Sequence, residues 1–279
     1  MIHFLKNSRI LRGPLLAATR LLLRPLHAGW PLLRRAAYDA MPLPYLVTGD
    51  REQFVVSTAD KVIGRELFLH GQFDFDKLEL ALAILKREGQ VLPRHLIDVG
   101  ANIGSITIPA LCRGLFETAT AIEPHPANLR LLRANLALNG VQERVGVLDI
   151  AVGEQTDVVL HLRESSTNSG NHTVGEEGLP IRSTRLDDLS LPLGHALLWM
   201  DIEGYEGHAL AGAPALLASG APVVLEFNPS YLAQSGGMDR LAHALQGRKI
   251  FDLKDPERRT SLQEVRARNT SSFTDVLAI

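Results

Sequence analysis

Apolar and polar positions divide the chain into elements before any chemistry is considered. Residues 45–47 and 53–57 are short apolar runs around Thr48-Gly49-Asp50, the pattern of a β-hairpin. Residues 60–69 predict a helix, which Gly71 interrupts. Residues 76–87 predict another, with Leu78, Leu82 and Leu85 at helical spacing and a stop at Gly89. From Arg94 the rhythm becomes strand and helix in turn. Residues 95–99, 118–122, 144–150, 197–200 and 222–227 predict strands. Helices are predicted between and after them at 104–113, 126–139, 208–218 and 238–246. Residues 249–253 and 273–277 close the series. A polar insert runs from 152 to 189, with alternation at 158–162 suggesting one extra strand. Repeated strand–helix units specify an α/β fold, a mainly parallel sheet with helices on both faces.

Composition narrows the class. A chain of 279 residues with 46% hydrophobic and 22% charged content is long enough for a real core and is not disordered. The single cysteine, Cys112, excludes a disulfide scaffold and a cysteine-based zinc site, and it suits a reducing, cytoplasmic setting.

Charge is near neutral in total but unevenly placed. Seven Lys/Arg and no acid precede Asp39, leaving 22 basic against 31 acidic residues in the rest. The expected organisation is a basic, Leu/Arg-rich arm over 1–40, a hairpin and helical segment over 41–90, and the α/β domain over 91–279. An acidic body is no general nucleic-acid binder. The arm contains no run of about 18 apolar residues that spans a bilayer. It reads as a solvated leader, or as an amphipathic segment making peripheral contact with an anionic membrane through residues 1–38.

In parallel sheets ligands sit beyond the carboxyl ends of the strands, so those ends carry the candidate chemistry. The first ends in Asp98-Val99-Gly100-Ala101-Asn102-Ile103-Gly104. Gly100 and Gly104 permit a sharp turn and close approach of a ligand. Asn102 and Ser105 stand where a dinucleotide fingerprint needs glycines, and Asp98 favours a cationic ligand over a pyrophosphate. The second strand ends in Glu123-Pro124, and a carboxylate there suits the two hydroxyls of a ribose. The third ends at Asp149, a candidate for an adenine edge. The fourth ends in Asp201-Ile202-Glu203-Gly204-Tyr205-Glu206. There the extended period of two places Asp201 and Glu203 on one side, and Glu206 falls in the first turn of a helix. The fifth carries Glu226, whose burial is costly unless the group is paired or used.

These strings together resemble the FkbM-family methyltransferases, a branch of the class I S-adenosylmethionine-dependent enzymes. The matching stretches are 96–104, 121–129 with 132–139 following, 183–189, 200–206 and 224–228, and the likeness extends over about 53–253. The resemblance implies a Rossmann-like sheet of seven strands, mostly parallel with the last antiparallel. It places S-adenosylmethionine across Gly100–Gly104, with the ribose on Glu123 and the methionine end near Asp98 and Asp201. Acceptors in the family are usually hydroxyl groups on sugars, glycolipids or secondary metabolites. Removing the acceptor proton falls to Glu203, Glu226 or Asp201, with His172 as an outside candidate, while His125 and His208 are expected at the surface. Asp201 and Glu203 also suit Mg²⁺, but no metal is assigned. Trp199 departs from the Lys common in the family. Two other readings are a nicotinamide-dependent oxidoreductase and a non-catalytic nucleoside-binding scaffold at a membrane.

Overall fold

The computed structural model describes residues 31–49, 51–270 and 272–279. Most of the basic arm, and with it most of the expected membrane contact, lies outside the described residues. Among them, no helix is long and apolar enough to cross a membrane. The chain divides into two units, residues 1–44 and 45–279. The first carries α1 (Pro31–Asp39).

The second unit opens with the hairpin β1 (Tyr45–Thr48) and β2 (Phe54–Ser57), paired antiparallel from Tyr45↔Ser57 to Thr48↔Phe54. Helices α2 (Ile63–His70) and α3 (Phe75–Arg87) follow. α3 buries Phe75, Leu78, Ala81, Ile84 and Leu85, one stripe at helical spacing.

The main sheet begins at β3 (His95–Val99), followed by α4 (Thr107–Cys112), β4 (Thr118–Ile122), α5 (Pro126–Leu138) and β5 (Val145–Leu148). Pro126 opens α5, where its missing N–H costs nothing. The insert supplies β6 (Ala151–Val152), β7 (Val158–Arg163), β8 (Thr173–Gly175) and β9 (Leu179–Thr184), and β10 (Ala196–Met200) follows it. The series continues with α6 (Glu206–Ala211), α7 (Pro214–Ala218), β11 (Val223–Phe227), α8 (Pro229–Ser235) and α9 (Met238–Ala244). It ends with β12 (Ile250–Asp252), β13 (Asp255–Thr260), α10 (Leu262–Arg268) and β14 (Thr274–Ala278).

The strand order is β13-β12-β14-β11-β10-β3-β4-β5. β3, β4, β5, β10 and β11 run parallel, and β14 enters antiparallel between β11 and β12. Seven of these strands form the expected sheet. The eighth, β13, is a charged edge hairpinned onto β12. The insert is more than one extra strand: β6, β9, β7 and β8 form a four-stranded sheet of their own.

One face of the main sheet sends Ile97, Val99, Leu198, Met200, Val223 and Leu225 into a core closed by Leu210, Leu216, Leu232, Leu241 and Val265 from α6–α10. Strand alternation leaves Leu96, Leu197, Val224 and Leu277, all buried, for the other face. The helix expected over 208–218 is two helices. Glu206 begins the first, and Pro214 opens the second after a break at Gly212-Ala213.

Candidate active site

β3 and β4 lie side by side with Asp98 opposite Ala121 and Val99 opposite Ile122, so their carboxyl ends open onto one cleft. The cleft holds about 890 Å3 of open space, including the part continuous with solvent. Asp98, Gly100, Asn102, Glu123 and Asp201 all line it. Asp98 is buried and accepts a hydrogen bond from the Thr107 hydroxyl at the start of α4. Burial pushes its carboxyl up to about 6, against the pull of that hydrogen bond. Gly100 has φ +83°, and a Cβ there would stand 2.0 Å from the Asp201 carbonyl oxygen. Only glycine lets β10 close against this loop.

Glu123 is likewise buried, and burial raises its carboxyl to about 7. One oxygen accepts the Asn102 backbone N–H at 2.8 Å, the other that of His125 at 2.8 Å. These bonds lower the value, while the charge on Asp98 raises it. Asn102 itself sits in the left-handed region, φ +50°, which asparagine tolerates better than most residues.

The fourth strand end differs from the extended chain expected. Asp201 is half-buried and lines the cleft, but Glu203 does not line it. The chain turns at Glu203 (φ +53°) and Gly204 (φ +92°), where a Cβ would meet Tyr231 at 2.5 Å. The period of two therefore stops at the end of β10. Glu206, fully buried, accepts the backbone N–H groups of Ile202 and Gly204 at 3.2 Å each and braces the turn.

Around this turn the carboxyls crowd. Burial, then Glu203, Asp275, Glu206 and Asp74, hold Asp201 well above the usual carboxylate range. Burial and Glu206 raise Glu203 to about 7. Burial followed by Asp201 and Glu203 raises Glu226 to about 10, and its Oε2 is enclosed without a hydrogen-bond partner among the described residues. Lys77 is the cation set among them, 2.7 Å from Asp275 and 3.0 Å from Asp74. Burial pulls its ammonium down, but Asp275 and Asp74 outweigh that and hold it protonated. Among the described residues, no three His, Cys, Asp or Glu side chains are arranged to hold a metal ion.

Three of the remaining expected residues lie apart from the cleft wall. Gly104 packs under Ile108 and Leu132, Asp149 is exposed just past β5, and Glu226 is not part of the lining. His125 is buried rather than at the surface, with Nε2 2.8 Å from Glu164. His208 is half-buried, stacked on Tyr205 and bonded to the Ser235 carbonyl. His172 lines the cleft, but its Nδ1 accepts the Ser165 N–H at 3.0 Å. Burial, then His125, lowers it to about 4.

Other lining residues were not singled out from sequence. Leu162, Val174 and Ile181 come from the insert sheet, Phe73 and Asp74 from the segment before α3, and Tyr205 from the β10 turn. The alternation over 158–162 was the one signal for the insert. Asn128, which with Asn135 is one of two polar residues buried on an otherwise apolar helix face, also lines the cleft.

With a glycine turn and two buried acids at the carboxyl ends of its parallel strands, the sheet has the Rossmann-like α/β architecture in which ligands sit beyond those ends. Residues 98–262 match the Methyltransferase FkbM domain, and the chain belongs to that family. No curated protein matches the chain. Three solved structures are similar. One is Methyltransferase FkbM from Methylobacillus flagellatus KT, with 19% identity over 71% of this chain and 48% of that one, TM-score 0.46. The chain thus spans about half the length of that protein. Another is precorrin-6y C5,15-methyltransferase from Geobacter metallireducens GS-15, with 16% identity over 72% and 87%, TM-score 0.40. A third is M. jannaschii TYW2 in complex with AdoMet, with 11% identity over 84% and 85%, TM-score 0.43.

Proposed function

We propose that this chain transfers a methyl group from S-adenosylmethionine to a hydroxyl group of a sugar, glycolipid or secondary metabolite. The observation that carries the donor reading is the pairing of Asp98 and Glu123 in one cleft beside a glycine whose Cβ position is filled by backbone. The residues fit the donor: buried carboxyls suit a cation and a ribose, and Gly100 lines the cleft without a side chain. Asp98 also disfavours the pyrophosphate of a nicotinamide dinucleotide.

When bound, the donor supplies a methyl group on a cationic sulfur. Glu123 is placed to accept the ribose hydroxyls, and Asp98 and Asp201 to face positive charge. The insert sheet gives the cleft an apolar wall through Leu162, Val174 and Ile181. An alcohol acceptor must give up a proton, and of the three carboxyls expected as bases, Asp201, Glu203 and Glu226, Asp201 is the one that lines the cleft. Burial, then Glu203 and the neighbouring Asp275 and Glu206, raise its proton affinity above that of an ordinary aspartate, the direction a general base for an alcohol needs.

Calorimetric titration with S-adenosylmethionine and, separately, NAD tests the donor. Binding of NAD and not of S-adenosylmethionine would reverse the reading. Transfer of a labelled methyl group into a cell extract, followed by mild base and acid hydrolysis of the product, tests the ether linkage expected of a methylated hydroxyl.

A further inference from the structure

The cleft shares a wall with a second cavity of about 630 Å3, lined by Tyr45, His125 and Glu164 among others. Asn128, Ser169 and His172 face both. One residue organises that wall. The Ser169 carbonyl accepts hydrogen bonds from Asn102 Nδ2 at 2.7 Å and from Asn128 Nδ2 at 2.9 Å. Its hydroxyl donates to Asp60 Oδ2 at 2.6 Å and lies 3.2 Å from Asn102 Oδ1.

Asp60 is anchored in turn. Its carboxylate accepts the backbone N–H of Val62 at 2.9 Å and of Gly64 at 3.0 Å, at the start of α2. The Lys61 N–H bonds the Thr167 carbonyl at 2.7 Å, a second tie between the same two segments. Gly170 fits closely over α2: a Cβ there would stand 2.8 Å from Ile63 Cδ1. The loop at 164–172 is therefore held to residues 60–64 on one side and to the glycine turn on the other. Asp60 and its helix lie outside the matched domain, residues 98–262.

The tie reaches the site through Asn102. Its left-handed backbone aims its N–H at Glu123, and its side chain is fixed only by Ser169 among the described residues. We propose that Ser169 is a positioning residue that latches the 164–172 loop over the donor cleft and, through Asn102, sets Glu123 for the ribose. This rests on the donor reading above. Removing the hydroxyl leaves the carbonyl bonds in place but frees the loop from Asp60, so the donor escapes more easily while the fold persists.

The test uses the full chain, with S-adenosylmethionine as the probe in calorimetry and stopped-flow release. Ser169→Ala is expected to weaken binding about tenfold, mainly through faster release, the scale of one hydrogen bond. Its melting temperature is expected to stay within about 2 °C of the parent. Ser169→Thr, which keeps a hydroxyl, is expected to recover affinity to within about twofold. Parental affinity in Ser169→Ala, or equal weakness in Ser169→Thr, overturns the latch while leaving the donor reading standing. No binding to the parent chain overturns both. If Ser169→Ala does not fold, hydrogen exchange on the parent decides: amides 167–171 are expected to slow at least about tenfold on donor binding, and unchanged exchange overturns the latch.

Discussion

Glu226 and Asp275 are register partners in the antiparallel β11–β14 pair, two carboxyls opposite one another in the sheet. Like charges so placed destabilise a sheet unless one is neutral or paired. The structure does both. Lys77 sits 2.7 Å from Asp275, and burial with the neighbouring carboxyls keeps the proton on Glu226 up to about pH 10.

Glu226→Gln tests this proton. An unfolded glutamate releases its proton near pH 4.5, so the native protein must retain one that the unfolded chain has lost. Stability from a raised carboxyl is intact below the unfolded value and is lost as pH rises toward the folded one. The amide variant is spared that loss. Its melting temperature is expected to match the parent at pH 4.5 and to exceed it by at least about 2–4 °C at pH 8. Thermal unfolding at the two pH values decides, and an equal offset at both rejects the protonated Glu226.

Lys77→Met should have the opposite effect. It strands Asp74 and Asp275 beside Asp201, at a cost of about 3 kcal/mol in chemical denaturation. Lys77→Met with Asp275→Asn is expected to regain at least half of that. A double variant no better than the single one shows that the lysine stem, not its charge, is what matters.

Donor affinity should depend on pH in a defined direction. Asp98 and Glu123, raised to about 6 and about 7 by burial, attract a cation only when ionised. As pH falls through both values they take up protons. The dissociation constant for S-adenosylmethionine is expected to be at least about tenfold larger at pH 5 than at pH 8. Titrations in buffers of different ionisation enthalpy should show proton release on binding near pH 6.5. A flat profile removes these carboxyls from the donor site.

Gly100→Ala places a Cβ 2.0 Å from the Asp201 carbonyl at a φ of +83°. The backbone must shift, with an expected loss of donor binding and of at least about 2 kcal/mol in stability. Parent-like melting and binding together would mean that the turn is not held as described.

Much of the fold was legible because buried parallel strands announce themselves. His95–Val99 and Thr118–Ile122 are short apolar runs closed by glycine or Glu-Pro, and the structure keeps both boundaries. β13 was not legible: Asp255–Thr260 is mostly charged and pairs only because β12 precedes it. The insert sheet was half hidden, since β6 and β8 are two and three residues long and depend on β9 and β7 for pairing.

At the site, strand-end residues were found where the strand truly ended, as at Asp98 and Glu123. Glu203 was misplaced because the alternation was carried past Met200 into a turn that Gly204 and Glu206 impose. Asp149 was placed near the ligand on a strand taken two residues too far. Ser169 gave no signal, because its partners lie 41 to 109 residues away.

The charged eighth strand bears on how this molecule meets its own copies. Asp255, Glu257, Arg258 and Arg259 occupy one rim of the main sheet, where charges and mismatched neighbours discourage strand addition. The other rim is β5, Val145–Leu148, uncharged and, among the described residues, paired only with β4. Among the described residues the sheet thus has one charged rim and one uncharged rim, and edge pairing is favoured at β5 over β13.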